Sequence, residues 1–192
     1  MGVRSLFAAC LCWSAIAAGQ TSVAAKPYDV EEAYQIYSLL LPQEESYGFA
    51  KGRLVIQQDT AQKHQAHSSC LTDEAANKFR DAISDFDRLE SKSWLLQRKF
   101  QIAKPYILAN SDMIGRVFRQ LPGGWDSFYK LYPDSGGYLI MSPVEFNRDK
   151  TQAIVYTGSS CGGVCGRWSF HLLEKVQGKW KEAPGVICSL VS

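Results

Sequence analysis

The stretch "YTGSSCGGVCGRWSF", Tyr156 to Phe170, places two cysteines four positions apart in a glycine-rich loop between two apolar stretches. The flanks read as strands, since from Tyr138 onward the hydrophobic period changes from 3.6 to 2. Redox dithiols ordinarily space their cysteines by two residues at a helix N-terminus, which lowers the thiol pKa. Here three residues intervene and the flanks are strand-like. A ring of this size can close, because Gly162-Gly163 permits unusual backbone angles. Its closure is worth about 2 kcal/mol, since the loop is short. The reading is a structural staple across a hairpin; a redox centre and half of a metal site are the alternatives.

Outward from that loop, four strands are expected: Tyr138–Phe146, Gln152–Thr157, Arg167–Lys175 and Lys179–Leu190. "NRDK" and "VQGK" are short enough to close hairpins between the first and last pairs. Pro184-Gly185 suggests a bulge or an edge in the last strand. Upstream the period is 3.6. A helix follows Asp29, with Val30, Ala33, Tyr34, Tyr37, Leu40 and Leu41 on one stripe and Pro42 as its stop. A strand follows at Arg53–Gln58. Thr72 caps a second helix with Ala75, Phe79, Ala82, Ile83, Phe86 and Leu89 on its stripe. Helix is expected again at Trp94–Phe100, a short strand at Tyr106–Leu108, and a helix from Ser111 to Phe118. The fold class is α+β: N-terminal helices on one face of a C-terminal antiparallel meander of about four strands. No repeat or linker divides residues 26–192, which read as one domain.

The N-terminus reads as a secretory signal peptide. Arg4 precedes a compact apolar run, "SLFAACLCWSAIAA", too short for a membrane helix of about 20 residues. Val23 and Ala25 are small residues at the positions a signal peptidase reads, so cleavage is expected after Ala25, with Gly19 as the alternative. "FAAC" at Phe7–Cys10 faintly matches a lipoprotein box, but too few residues separate it from Arg4. The expected location is secreted or periplasmic, with no transmembrane segment in the mature chain. The formal charge of +2 is spread along the 192 residues. No basic patch is dense enough for nucleic acid.

Cleavage leaves Cys70, Cys161, Cys165 and Cys188, an even set that suits disulfides in an exported protein. The favoured pairing is Cys161–Cys165 with Cys70–Cys188. A two-residue turn at Gln177-Gly178 would set Cys188 opposite Arg167, which keeps Cys165–Cys188 with Cys70–Cys161 open.

Several patterns invite chemistry. His64, His67 and Cys70 in "HQAHSSC" could ligate zinc on a helix, but the stretch reads as loop and lacks a fourth ligand. His171 alternates onto the face opposite Trp168 and Phe170 and reads as solvated. "PDSGG" at Pro133–Gly137 resembles the nucleophile motif of chymotrypsin-like proteases, and "AHSSC" their histidine motif. Pro133 stands where that family has glycine, and helices lie where it needs strands; turn chemistry explains the motif. Trp125, Phe128, Tyr129 and Tyr132 share one helical face. Trp125, Tyr129 and Tyr132 are the candidate binding residues, with core packing as the other reading. Asp81, Asp85, Asp87 and Glu90 read as a solvated helix face. No P-loop, dinucleotide fingerprint or zinc-protease motif occurs, and no cofactor or metal is expected.

"FNRDKTQAIVYTGSSCGGVCGRWSFHLLEKVQGKW" resembles a group of bacterial exported proteins without an assigned function, which share the "CGGxCG" loop and "LLEKxxGKW". The resemblance runs from about Trp125 to Trp180. It implies that the hairpin loop and its aromatic strand positions are scaffold. The layout of helices before a curved meander is also similar to the nuclear-transport-factor-2-like cone. The expected function is an exported, non-catalytic binding or structural module for an unidentified ligand or protein. A small hydrolase or isomerase with a pocket between helices and sheet, and a thiol-redox or metal protein, are the alternatives.

Overall fold

The computed structural model describes residues 25–44, 52–61, 71–88, 93–183 and 188–191. In chain order these form β1 (Lys26–Pro27), α1 (Glu31–Glu44), β2 (Arg53–Gln57), α2 (Asp73–Lys78) and α3 (Arg80–Asp87). Then come β3 (Trp94–Leu95), β4 (Tyr106–Ala109), α4 (Ser111–Gln120) and α5 (Trp125–Leu131). The C-terminal part holds β5 (Ser135–Met141), β6 (Glu145–Phe146), β7 (Gln152–Gly162), β8 (Cys165–Val176), β9 (Lys179–Glu182) and β10 (Cys188–Val191).

The α+β class stands, but the sheet is mixed. Its order is β10-β8-β7-β5-β2-β4, with β6 extending the β5 side of β7 and β9 the β10 side of β8. The C-terminal strands pair antiparallel as expected. β2 is parallel to both of its neighbours, β4 and β5. The expected antiparallel meander is therefore half of a larger sheet. Short apolar runs such as Arg53–Gln57 fix strand identity but not direction.

Helices cover both faces, where one was expected. Alternate strand residues Leu54, Ile56, Leu139, Met141, Ala153, Val155 and Leu173 pack with α1 residues Tyr34, Tyr37, Leu40 and Leu41. On the opposite face, Ile154, Tyr156 and Leu172 meet α2–α3 through Phe79, Ile83 and Phe86. Further along that face, Val55 and Ala109 meet α4–α5 through Ile114, Val117 and Phe128. Both faces of β7 are buried, which is why Ala153 to Ser159 are all buried without alternation.

α1 is fixed by buried tyrosines and an ion cluster. Tyr37 donates to Ser142 O at 2.7 Å, and Tyr34 donates to Tyr28 O at 2.8 Å. Tyr28 Oη accepts from Val144 N at 3.0 Å. These bonds satisfy the backbone where Pro143 interrupts the β5–β6 edge. Glu32 pairs with Lys175 and Lys150, anchoring the start of α1 to the sheet. α1 continues through Pro42 to Glu44, two residues past the expected stop, with Pro42 lacking the N–H that would bond to Ser38 O.

Two local expectations change. Trp94–Phe100 is not helical: Trp94–Leu95 pairs with β1, Leu96 N donates to Gln58 O and Thr60 N donates to Trp94 O. Long-range backbone bonds override the local helical pattern there. α4 is capped by Asn110, whose Oδ1 accepts from Met113 N at 3.1 Å. Ser111 instead donates its hydroxyl to Asp59 at 2.6 Å. Thr72 caps α2 as expected, accepting from Ala75 N.

Candidate functional site

The β7–β8 pair runs in register from Gln152↔Glu174 to Ser160↔Gly166, then shifts at a bulge to Gly162↔Cys165. Gly163 and Val164 make the tip. Cys161 and Cys165 are joined by a disulfide, with Cα atoms 5.1 Å apart. Both lie in strands rather than on a helix. Val164 at the apex is 89% exposed, and a Cβ on Gly163 would meet nothing within 4 Å.

Beneath the tip lies an aromatic base. Tyr129 donates its hydroxyl to Cys161 O at 2.8 Å. Trp125 stacks on Tyr138 of β5 at 6.0 Å, and Tyr132 lies 4.9 Å from the fully buried Phe128. Burial raises the pKa of Tyr129, Tyr132 and Tyr138, keeping these phenols neutral. The candidate residues Trp125, Tyr129 and Tyr132 thus come together, half-buried, as the support of the hairpin end. Gly137 completes the contact: its φ is +123°, and a Cβ there would stand 2.1 Å from Ser160 O.

His171 is not solvated. Its side chain is only 10% exposed, with Nδ1 at 2.5 Å from Glu182 Oε1 and Nε2 at 2.8 Å from Thr157 Oγ1. The alternation was read correctly, but the face opposite Phe170 is covered by α1 rather than by water. The carboxylate accepts from Nδ1–H, and with Nε2 unprotonated that nitrogen accepts the Thr157 hydroxyl proton. That hydrogen bond, first among its causes, holds the Glu182 carboxyl below its usual pKa. The order hydroxyl–imidazole–carboxylate is the one a general base uses. Thr157, however, is 4% exposed. The gap beside it, lined by Leu40, Leu41 and Leu139, measures about 10 Å³, room for one water and no substrate. Sequence spacing could not reveal this trio, because its members come from three strands.

The other candidates sort as follows. Ser135 of "PDSGG" donates to Tyr132 O at 2.7 Å within its own turn. Asp81 and Asp87 are exposed on α3, and Asp85 pairs with Arg88. Asp85 also faces Glu145, whose pKa is pushed up to about 7, chiefly by burial and then by that charge. Cys188 stands opposite Phe170, and Val191 takes the place opposite Arg167 that Cys188 was expected to fill. The two-residue turn at Gln177-Gly178 forms, but the register differs between Glu182↔Leu173 and Cys188↔Phe170; Pro184-Gly185, where a bulge or edge was expected, lies outside the described residues. With Cys165 bonded to Cys161, the Cys165–Cys188 arrangement falls. Cys70, His64, His67, Glu90 and the signal segment before Ala25 lie outside the described residues.

Among the described residues, no group of three or more His, Cys, Asp or Glu is placed to hold a metal ion. No helix there is long and apolar enough to cross a membrane. No protein-family model, curated protein or solved structure matches this chain.

Proposed function

We propose that this chain is an exported, non-catalytic binding module whose contact point is the braced tip of the β7–β8 hairpin. The observation that carries the reading is Val164, an apolar side chain 89% exposed at the apex of a tied loop. The disulfide and the Tyr129–Cys161 bond order this loop before any partner arrives. A partner then gains apolar contact without the cost of ordering the loop. The apolar N-terminal run and the disulfide both suit an oxidising compartment outside the cytoplasm.

A photo-crosslinking residue at Val164, expressed in the native host, tests this. The expected result is a discrete adduct that fades when Cys161 and Cys165 are replaced by alanine. A crosslinker at Val176, 42% exposed beside the neighbouring turn, serves as control. Equal or absent adducts at the two positions would overturn the assignment.

The hydrolase reading has one observation in its favour, the Thr157–His171–Glu182 line beneath α1. A cone-like architecture would put a ligand site between α1 and the sheet at this place. A hydroxyl-directed β-lactone probe decides: labelling of wild type that is lost in Thr157→Ala supports catalysis, and no labelling removes it.

A further inference from the structure

A second site lies at the same end of the sheet as the hairpin tip. β5 begins at Ser135 and runs antiparallel to β7, so the first residues of β2, β4 and β5 sit beside the last residues of β7. An open cleft of about 630 Å³ crosses these three strand starts. That volume is in the range that holds small molecules, about 300–1,000 Å³. Arg53, Asp134 and Ser135 line it together with Pro105, Tyr106 and Ile107.

The floor is backbone held in place from both sides. Arg53 N donates to Asp134 O at 2.9 Å, and Leu54 N donates to Pro105 O at 2.9 Å. Gly52 permits this closeness: its φ is +63°, and a Cβ there would lie 1.7 Å from Asp134 O. Asp134 is itself at φ +59°, a conformation that aspartate and asparagine tolerate better than most residues. Tyr106 lines the opening at the edge strand, but its ring turns to the α1 side, edge-on against Phe100 at 5.2 Å, while Ile107 faces the α4–α5 side.

The charges define the occupant. Arg53 and Asp134 are both exposed, and neither has an ion-pair or side-chain hydrogen-bond partner among the described residues. A simple anion would meet Arg53 favourably and Asp134 unfavourably; a simple cation would meet the reverse. A molecule carrying both charges satisfies both groups, and an apolar body attached to it would lie along Pro105 and Ile107. We propose that this cleft binds a small zwitterion of the amino-acid class, its carboxylate against Arg53 and its ammonium against Asp134, with an apolar side chain along Pro105 and Ile107. The inference is independent of the contact assigned to Val164, whose substitution should leave it unchanged.

Amide correlation spectra of the full mature chain, titrated with L-leucine, N-acetyl-L-leucine and L-leucinamide, test the proposal. Leucine should shift the amides of Gly52, Arg53, Ile107 and Ser135 saturably, and the two blocked compounds should bind at least about tenfold more weakly. Asp134→Asn suits the backbone at this position and should weaken leucine about tenfold while leaving N-acetyl-leucine unchanged. Arg53→Gln should weaken leucine and N-acetyl-leucine and spare leucinamide. Unchanged spectra elsewhere establish that both variants fold. No saturable shift at about 10 mM leucine, N-acetyl-leucine binding as tightly as leucine, or leucine affinity untouched by both substitutions would each overturn it.

Discussion

The phenol of Tyr129, on α5, holds the carbonyl of Cys161, on β7, across 2.8 Å. A helix packed on the sheet thereby reaches the loop at its end, and the hairpin tip inherits the rigidity of the α4–α5 core. Tyr129→Phe keeps the ring and removes the bond. It should cost about 1 kcal/mol in urea denaturation and speed amide exchange at Gly162 to Val164. Replacing Cys161 and Cys165 together should cost about 2 kcal/mol, the closure entropy of so short a ring. A tip whose exchange is unchanged in both variants would contradict the bracing.

Gly137 faces Ser160 O with no room for a methyl group and at a φ that other residues avoid. Gly137→Ala should destabilise the protein by about 3 kcal/mol or more, since the contact is backbone and cannot yield. Gly163→Ala, in open space at the tip, should be near neutral by the same denaturation measurement.

Two carboxyls give opposite pH signatures. Glu145 has its folded pKa raised to about 7, above the ordinary carboxyl value. Its stabilising, neutral form is fully present below that ordinary value and is lost as pH rises through about 7. Glu145→Gln should therefore gain of order 1–2 kcal/mol over wild type at pH 8, the partial exposure of the carboxyl reducing the effect, and nothing at pH 4. Glu182 has its folded pKa lowered, chiefly by the hydrogen bond with His171. Its contribution is present above the ordinary carboxyl value and is lost as pH falls through the folded pKa. Glu182→Gln should cost of order 1 kcal/mol near neutrality, given its partial exposure, and little in acid. Chemical denaturation of both variants across pH checks the signs.

The second pair of sulfurs is the remaining covalent question. Leu71, next in sequence to Cys70, packs in the cluster that contains Phe170, and Phe170 is the register partner of Cys188. Non-reducing peptide mapping should find Cys70 linked to Cys188, with mature material beginning at Lys26. Free thiols at both positions would remove the bridge.

The hairpin half of the fold was legible because its signals are local. The change of period from 3.6 to 2 after Tyr138 marked the strands, although β7 is buried on both faces, and Gln177-Gly178 forms its two-residue turn with positive φ at both residues. The parallel half was not. Leu54 pairs with Tyr106, and Val55 with Tyr138, and nothing in "RLVIQ" or "YILA" names a distant partner or a direction. The site divided in the same way. The cysteine staple follows from spacing and glycine. Tyr129 could be placed on a helical face, but its Cys161 contact needs the tertiary fold. His171 was misread because burial of its face depends on α1, far away in the chain.

The parallel placement of β2 also governs assembly in time. A chain emerging N-terminus first, from a ribosome or through a translocation pore, presents Leu54 to Ile56 long before either flanking strand is available. β7 and β8, by contrast, are neighbours in sequence and can zip as soon as Val176 is out. Folding is then expected to run backwards along the polypeptide, with the late hairpin as template and the early segment waiting for it. A holdase that shields residues 53–57 during that wait would protect the nascent molecule at its most vulnerable point.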